Sequence, residues 1–157
     1  MKARIDFGTA DSKAIQMLLG IERHIAASRL ESKLLNLVKM RASQINGCAF
    51  CLDMHSKDAR AEGETEQRLY SLNAWAEAPY YTDRERAALE WTEAVTVLSE
   101  GHAPDDIYAK VRAKFSENEI VALTLAISMI NTWNRLNVAF RTEAGGYRPG
   151  MFKSLSA

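Results

Sequence analysis

Apolar residues recur at spacings of three and four along most of the chain, and no stretch of useful length alternates as a half-buried strand would. The clearest amphipathic segment is 31–45. Its apolar face consists of Leu34, Leu35, Val38, Ala42 and Ile45. The segment ends at Asn46 and Gly47, a pair suited to a left-handed helix terminus. With only three prolines and eight glycines, the pattern predicts an all-α, single-domain bundle of about six to seven helices.

The remaining predicted helices follow from capping signals and breaks in the pattern. They are 12–25 after the cap residue Asp11, 48–61, 66–73, 83–100, 104–115 and 117–141. The segments 82–85 and 116–119 both have the capping-box form, in which a hydroxyl and a carboxylate satisfy free backbone amides reciprocally. The last residues, 145–157, are predicted to form a loose tail.

The segment 120–130 is apolar almost all the way round, so a helix there must be covered on more than one side. Other helices of the same chain could cover it, and so could a symmetric partner subunit. The sequence leaves both alternatives open. Since no repeat, linker or low-complexity segment divides the chain, residues 1–157 are predicted to form one domain.

Charge narrows the range of partners. The 157 residues carry no net charge and no cluster of basic residues, which argues against nucleic acid or an anionic membrane as a partner. The N-terminus lacks the apolar core of a secretory signal, and no run of 18 apolar residues occurs. We therefore expect a cytoplasmic protein.

The candidate chemistry lies where the second predicted helix ends and the third begins. Cys48 and Cys51 form a CxxC pair, and His55 follows Cys51 by four residues. Residues four apart share a helix face, so an imidazole at position 55 could take the proton of the Cys51 thiol. Cys48 could then condense with an oxidised Cys51 to form a disulfide. On spacing alone Cys51 is favoured as the nucleophile, although helical CxxC pairs often have the more acidic thiol at the first position.

Two alternatives compete with redox chemistry. Cys48, Cys51 and His55 could bind zinc, but structural zinc usually has four protein ligands and the sequence offers no fourth nearby. The cysteines could also be inert core residues beside a solvated histidine. We expect a redox pair with no bound metal and no cofactor.

The residues from Met40 to His55, MRASQINGCAFCLDMH, closely resemble the core motif of the alkylhydroperoxidase D and carboxymuconolactone decarboxylase superfamily. The core region spans about residues 30–63, and the resemblance continues weakly in 86–93 and 131–136. It implies an all-α fold assembled as trimers or hexamers, with the CxxC at a helix start. The decarboxylase branch lacks the cysteine pair, which makes a lactone-decarboxylating lyase the less favoured activity.

In the peroxidase branch the second cysteine reacts with peroxide, the first resolves the product, and the histidine belongs to a proton relay. The resemblance gives these roles to Cys51, Cys48 and His55. It implies a thiol-dependent peroxidase that reduces hydrogen peroxide or organic hydroperoxides and is recycled by a lipoyl-type or thioredoxin-like dithiol. The alternative is a redox-sensing or disulfide-exchange oligomer with little peroxide turnover.

One position departs from the peroxidase pattern. The pattern places a glutamate twelve residues before the first cysteine, and this chain has Asn36 there. A neutral amide cannot accept a proton as a carboxylate does. Glu90 and Glu93, three residues apart in a family-like segment, are the predicted substitutes.

Overall fold

The computed structural model describes residues 2–152, and these form eight α-helices and two short 3₁₀ helices without any strand. The α-helices are α1 (Phe7–Ala10), α2 (Ser12–Ala26), α3 (Ser32–Asn46), α4 (Ala49–Ala61), α5 (Glu66–Tyr70), α6 (Asp83–Thr96), α7 (Asp105–Arg112) and α8 (Glu117–Phe140). The 3₁₀ helices are Leu72–Ala74 and Leu98–Glu100. The predicted all-α class is confirmed, and the additional helix is α1, a single turn capped by Asp6.

Helices α3 and α4 form a tight antiparallel hairpin. Gly47 ends α3 with φ 66°, the left-handed conformation that glycine adopts without a steric penalty. The Cys48 amide then bonds back to the Ser43 carbonyl at 3.1 Å, and Cys48 is already the N-cap of α4. Only two residues separate the helices, so the CxxC pair is fixed against the last turn of α3.

Helix α8 is the central element. It packs against α2, α3, α4, α6 and α7, and α3 contacts α4, α6 and α8. The core therefore contains most of the apolar segment 120–130. Its buried members are Ile120, Ala122, Leu123, Ala126, Ile127, Met129 and Ile130. Helices of the same chain thus cover most of α8, while Val121 stays 60% exposed.

The segments before α1 and after α8 both pack onto the bundle as far as the structure describes them. The Arg4 amide bonds to the Phe140 carbonyl at 2.9 Å, and the rings of Phe7 and Phe140 lie 5.9 Å apart. The tail was expected to be loose, but Tyr147 is buried and its hydroxyl donates to the Asp58 carboxylate at 2.8 Å. That expectation is wrong as far as residue 152, because α4 offers the tail a carboxylate acceptor. Residues 153–157 lie outside the described residues.

Several helix boundaries differ from the sequence-based ones. The segment 83–100 is divided, because the backbone leaves the helical conformation at Val97 and a 3₁₀ turn follows. The segment 66–73 is likewise divided into α5 and a 3₁₀ turn. Pro104 is the N-cap of α7 and does not belong to its first turn. No helix within residues 2–152 is long and apolar enough to cross a membrane.

We expect Glu119, in the first turn of α8, to stabilise the fold at neutral pH and to lose this effect in acid. Its carboxylate accepts the Ser116 amide at 2.8 Å and Arg84 at 2.7 Å, and these bonds lower its pKa to about 2, the amide contributing most. Since the folded pKa lies below the unfolded value, the stabilisation is complete above about pH 4.5 and is lost as the pH falls towards 2. Glu119→Gln should lower the free energy of unfolding by about 1 kcal/mol at neutral pH.

Urea denaturation of both proteins at neutral and acid pH measures this effect, and the difference should shrink below about pH 4.5. Glu117→Gln is the matched control, because Glu117 lies in the same turn but its side chain is 79% exposed beside Arg112. A difference between wild type and Glu119→Gln that stays constant with pH would contradict the assignment.

Candidate active site

The two cysteines lie at the start of α4 and are almost completely buried. Cys48 is 1% exposed and Cys51 is not exposed at all. Because Cys48 is the N-cap, its sulfur lies against the free amides of the first turn and accepts the Cys51 N–H at 3.4 Å. The structure contains both cysteines as free thiols.

The pKa values of the two thiols are shifted in opposite directions. The pKa of Cys48 is lowered to about 7, chiefly because the Cys51 thiol donates a hydrogen bond to its sulfur. The pKa of Cys51 is raised for the same reason, and burial and the charge of the neighbouring thiolate raise it further. The hydrogen bond therefore favours the thiolate at Cys48 and the thiol at Cys51. That Cys51 is the nucleophile stays a prediction, and the N-cap position, which favours an anion, belongs to Cys48.

Asparagines of α8 surround the sulfurs. Asn134 is buried and donates to Ser43 Oγ at 3.0 Å, and its amide also lowers the pKa of both cysteines. Asn46 Nδ2 donates to the side-chain oxygen of Asn134 at 2.9 Å. Since that oxygen already accepts a bond, the amino group of Asn134 must face the sulfurs. Asn137, one turn further along, donates to Cys51 Sγ at 3.5 Å.

His55 is buried one turn after Cys51 on α4. No side-chain hydrogen bond joins its ring to any residue between 2 and 152. Burial, with a smaller contribution from the nearby Lys39 charge, lowers the pKa of His55 to about 3. The imidazole is consequently neutral at physiological pH. It can donate or accept a hydrogen bond, but it is a weak base for a thiol proton.

A cavity of about 630 Å³ lies beside the cysteines, with His55 and Asn137 in its wall. Its apolar lining includes Ile5, Phe7, Ile15, Leu19, Phe50, Met54, Trp133 and Phe152. Neither cysteine belongs to the lining, but Asn137 touches Cys51 directly. Both sulfurs therefore lie directly behind the cavity wall, Cys51 against Asn137 and Cys48 against the Phe50 backbone.

Comparison with known proteins places this site in a family. Residues 13–94, more than half of the chain, match the model of the carboxymuconolactone decarboxylase family. The chain belongs to the carboxymuconolactone decarboxylase family. The resemblance seen in the sequence is thereby confirmed, and the matched region contains both cysteines and His55.

Relatives extend this assignment over nearly the whole chain. The uncharacterised protein YdfG of Bacillus subtilis is 40% identical over 92% of this chain and 98% of its own length. A crystal structure from Agrobacterium tumefaciens has a TM-score of 0.89 at 45% identity and covers 93% of this chain and 100% of that one. Its protein is described as of unknown function and proposed there to be the antioxidant defence protein AhpD.

More distant structures share the fold. The debrominase Bmp8 matches with a TM-score of 0.74 at 20% identity, over 88% of this chain and 74% of that chain. A peroxidase-related protein from Silicibacter matches with the same score and identity, over 88% of this chain and 73% of its own. At this identity the likeness concerns the fold alone. The same helical fold therefore occurs in a debrominase and in a peroxidase-related protein.

The structure does not bring the other sequence-predicted site residues to the cysteines. Asn36 donates to Glu62 at 2.9 Å, outside the cavity. Glu90 pairs with Lys110 at 2.6 Å. Glu93 accepts Arg41 at 2.7 Å and the Trp75 indole N–H at 2.6 Å. Each carboxylate thus has partners of its own, and none of the three residues lines the cavity.

Sequence reasoning named Asn131 and Asn134 only as candidate pocket residues, and it missed Asn137, Glu22 and Lys39. Asn131, Asn134 and Asn137 follow at three-residue intervals on α8, and that spacing was a usable signal for one polar face. The ion pair of Glu22 and Lys39, which lines the cavity, carried no such signal. These two residues are 17 positions apart on different helices, so only the packing of α2 against the rest of the bundle joins them.

Titration of the thiols provides a direct check of the shared proton. One thiolate per chain should form with a midpoint near pH 7, and the second only at much higher pH. In Cys51→Ala the midpoint for Cys48 should rise, because its main hydrogen-bond donor is gone. Ultraviolet thiolate absorbance against pH measures both. A midpoint unchanged in Cys51→Ala would contradict the proposed hydrogen bond.

Proposed function

We propose that the protein is a thiol-dependent peroxidase that reduces hydrogen peroxide or organic hydroperoxides through Cys51 and Cys48. The observation that carries the proposal is the buried, hydrogen-bonded cysteine pair beside a largely apolar cavity. A thiolate is the reactive form of cysteine, and a neighbouring second thiol permits a reversible cycle. The 45% identical Agrobacterium protein, described as a proposed antioxidant defence protein, supports the same reading.

The proposed reaction begins at Cys51, the nucleophile that the family resemblance implies, whose sulfur accepts a hydrogen bond from Asn137 in the cavity wall. The Cys48 thiolate takes the Cys51 proton as the Cys51 sulfur attacks the terminal oxygen of the peroxide. A sulfur–oxygen bond forms, the oxygen–oxygen bond breaks, and the leaving oxygen is protonated to give an alcohol or water. Cys48 then attacks the sulfenic acid and a disulfide forms. The hydroxyl of the sulfenic acid and the proton of the Cys48 thiol leave together as water.

The surrounding residues have supporting roles in this scheme. Neutral His55 offers a hydrogen bond to the bound peroxide from the cavity wall, and Asn134 and Asn137 donate to whichever sulfur carries charge. An external dithiol, lipoyl-type or thioredoxin-like, returns the disulfide to the reduced pair. We also propose a homo-oligomer, a trimer or hexamer, as the assembled form.

Thiol counting together with peroxide consumption tests the function. The reduced protein is treated with one equivalent of peroxide without oxygen, and free thiols are then counted. A peroxidase loses both thiols per chain and consumes peroxide catalytically when a dithiol such as dihydrolipoamide is supplied. Protein that retains its thiols, or that reacts once and is not recycled by any dithiol, would exclude the proposed cycle.

A second function, disulfide exchange, is favoured by one observation. The thiolate at the N-cap, Cys48, is the form expected of a thiol that attacks disulfides. Against it, Cys48 is 1% exposed, which leaves little access for a protein disulfide. Rapid exchange with a disulfide-bonded peptide, without peroxide turnover, would favour this function over the first.

A further inference from the structure

A partly buried ion pair interrupts the apolar lining of the cavity. Lys39 Nζ lies 2.8 Å from Glu22 Oε2, and their side chains are only 17% and 14% exposed. The other Glu22 oxygen accepts the Trp133 indole N–H at 3.0 Å. Burying two charges is costly unless both are paired, so these contacts fix one ammonium group at one place in the cavity wall.

Helix geometry gives the separation between Lys39 and the cysteines along α3 and α4. Ser43, which shares Asn134 with the cysteines, lies one turn after Lys39 on α3, and its hydroxyl donates to the Lys39 carbonyl at 2.7 Å. His55 lies one turn after Cys51 on the antiparallel helix α4. Lys39 and His55 are therefore at one level, about 6 Å along the helices from the level of Ser43 and Cys51. The Lys39 charge acts on the pKa of His55, as expected for neighbours at one level.

Asn137, which contacts Cys51, and Lys39 line the same cavity. With its terminal oxygen at Cys51, a hydroperoxide in the cavity extends its second oxygen and its organic group towards the level of His55 and Lys39. Negative charge develops on that second oxygen as the oxygen–oxygen bond breaks. Of the described residues that line the cavity, Lys39 is the one lysine or arginine, and burial disfavours the charged form of His55.

We propose that Lys39 is a further catalytic residue, the proton donor to the leaving oxygen, and that Glu22 and Trp133 are positioning residues that hold it. The inference rests on the proposed peroxidase function. In the step concerned, Cys51 loses two electrons to the terminal oxygen, the alkoxide leaves, and Lys39 Nζ gives it a proton. Solvent at the cavity mouth returns that proton to Lys39.

Peroxides with different leaving groups distinguish a proton donor from a residue needed only for packing. Reduction of tert-butyl hydroperoxide releases a strongly basic alkoxide, whereas reduction of peracetic acid releases acetate, which needs no proton. Lys39→Met should slow the reaction with tert-butyl hydroperoxide about 100-fold, and that with peracetic acid less than about threefold. Stopped-flow rates of Cys51 oxidation measure both. Lys33→Met, an exposed lysine of the same helix, should leave both rates unchanged.

The possible results distinguish a failure of the peroxidase function from a failure of the role of Lys39. A wild-type protein that reacts with neither peroxide overturns the peroxidase function itself. Equal losses with both peroxides in Lys39→Met, or no loss with either, overturn the role of Lys39 alone. If Lys39→Met does not fold because Glu22 is left buried without its cation, the double variant Glu22→Gln, Lys39→Met removes both charges and provides the same comparison.

Discussion

Cys51→Ser is expected to abolish peroxide consumption, with a loss on the order of 10⁴-fold or more, as for removal of a catalytic nucleophile. The physical reason is position. Cys51 Sγ accepts a hydrogen bond from Asn137 in the cavity wall and is the proposed nucleophile, whereas Cys48, the N-cap of α4, is the proposed resolving thiol. Peroxide in the cavity would then meet a hydroxyl that is a far weaker nucleophile. Coupled peroxide assays with a dithiol in excess measure the loss.

Cys48→Ser is the matched control, since it removes the other sulfur with the same change of atom. Cys51 should then be oxidised once, without a disulfide, and the sulfenic acid should persist or proceed to higher oxidation states. Mass spectrometry after one equivalent of peroxide identifies the product in each variant. Retained catalysis in Cys51→Ser, with sulfenic acid on Cys48, would reverse the two roles.

Mild acid should destabilise the protein through His55. Its folded pKa of about 3 lies below the unfolded value near 6.5. In mild acid the imidazole therefore binds a proton in the unfolded chain but not in the folded chain. Stability from this residue is complete above about pH 6.5 and is lost as the pH falls towards 3. Between about pH 6.5 and pH 5, linkage gives a loss of about 2 kcal/mol in the free energy of unfolding.

Urea denaturation of wild type and His55→Gln across that range tests the expectation. The variant should lose about 2 kcal/mol less than wild type, because glutamine does not titrate. His24→Gln, which changes an exposed histidine of α2, should retain the full acid effect. The range avoids pH values at which Glu119 becomes protonated. Equal slopes for wild type and His55→Gln would show that the ring accepts a proton in the folded state.

Most of the fold could be predicted because its signals are local. Gly47 ends α3 in a left-handed conformation and Thr82 and Ser116 form capping boxes, as their neighbouring residues indicated. The helix breaks at Val97 and after Tyr70 had no comparable signal, since neither position carries a glycine or proline. Docking of the tail through Tyr147 and Asp58 joins positions 89 residues apart, so no local pattern could indicate it.

In the candidate site, too, local features could be predicted and contacts between distant segments could not. The residue pattern was enough to predict a helix that begins at the CxxC, with Cys51 and His55 one turn apart on it, because helix breaks and helical periodicity depend on near neighbours. The surroundings of the pair depend on packing between distant segments. The pKa shifts of the two thiols come from their mutual hydrogen bond, from burial and from amides of α8, and Glu22 reaches Lys39 because α2 and α3 both pack against α8.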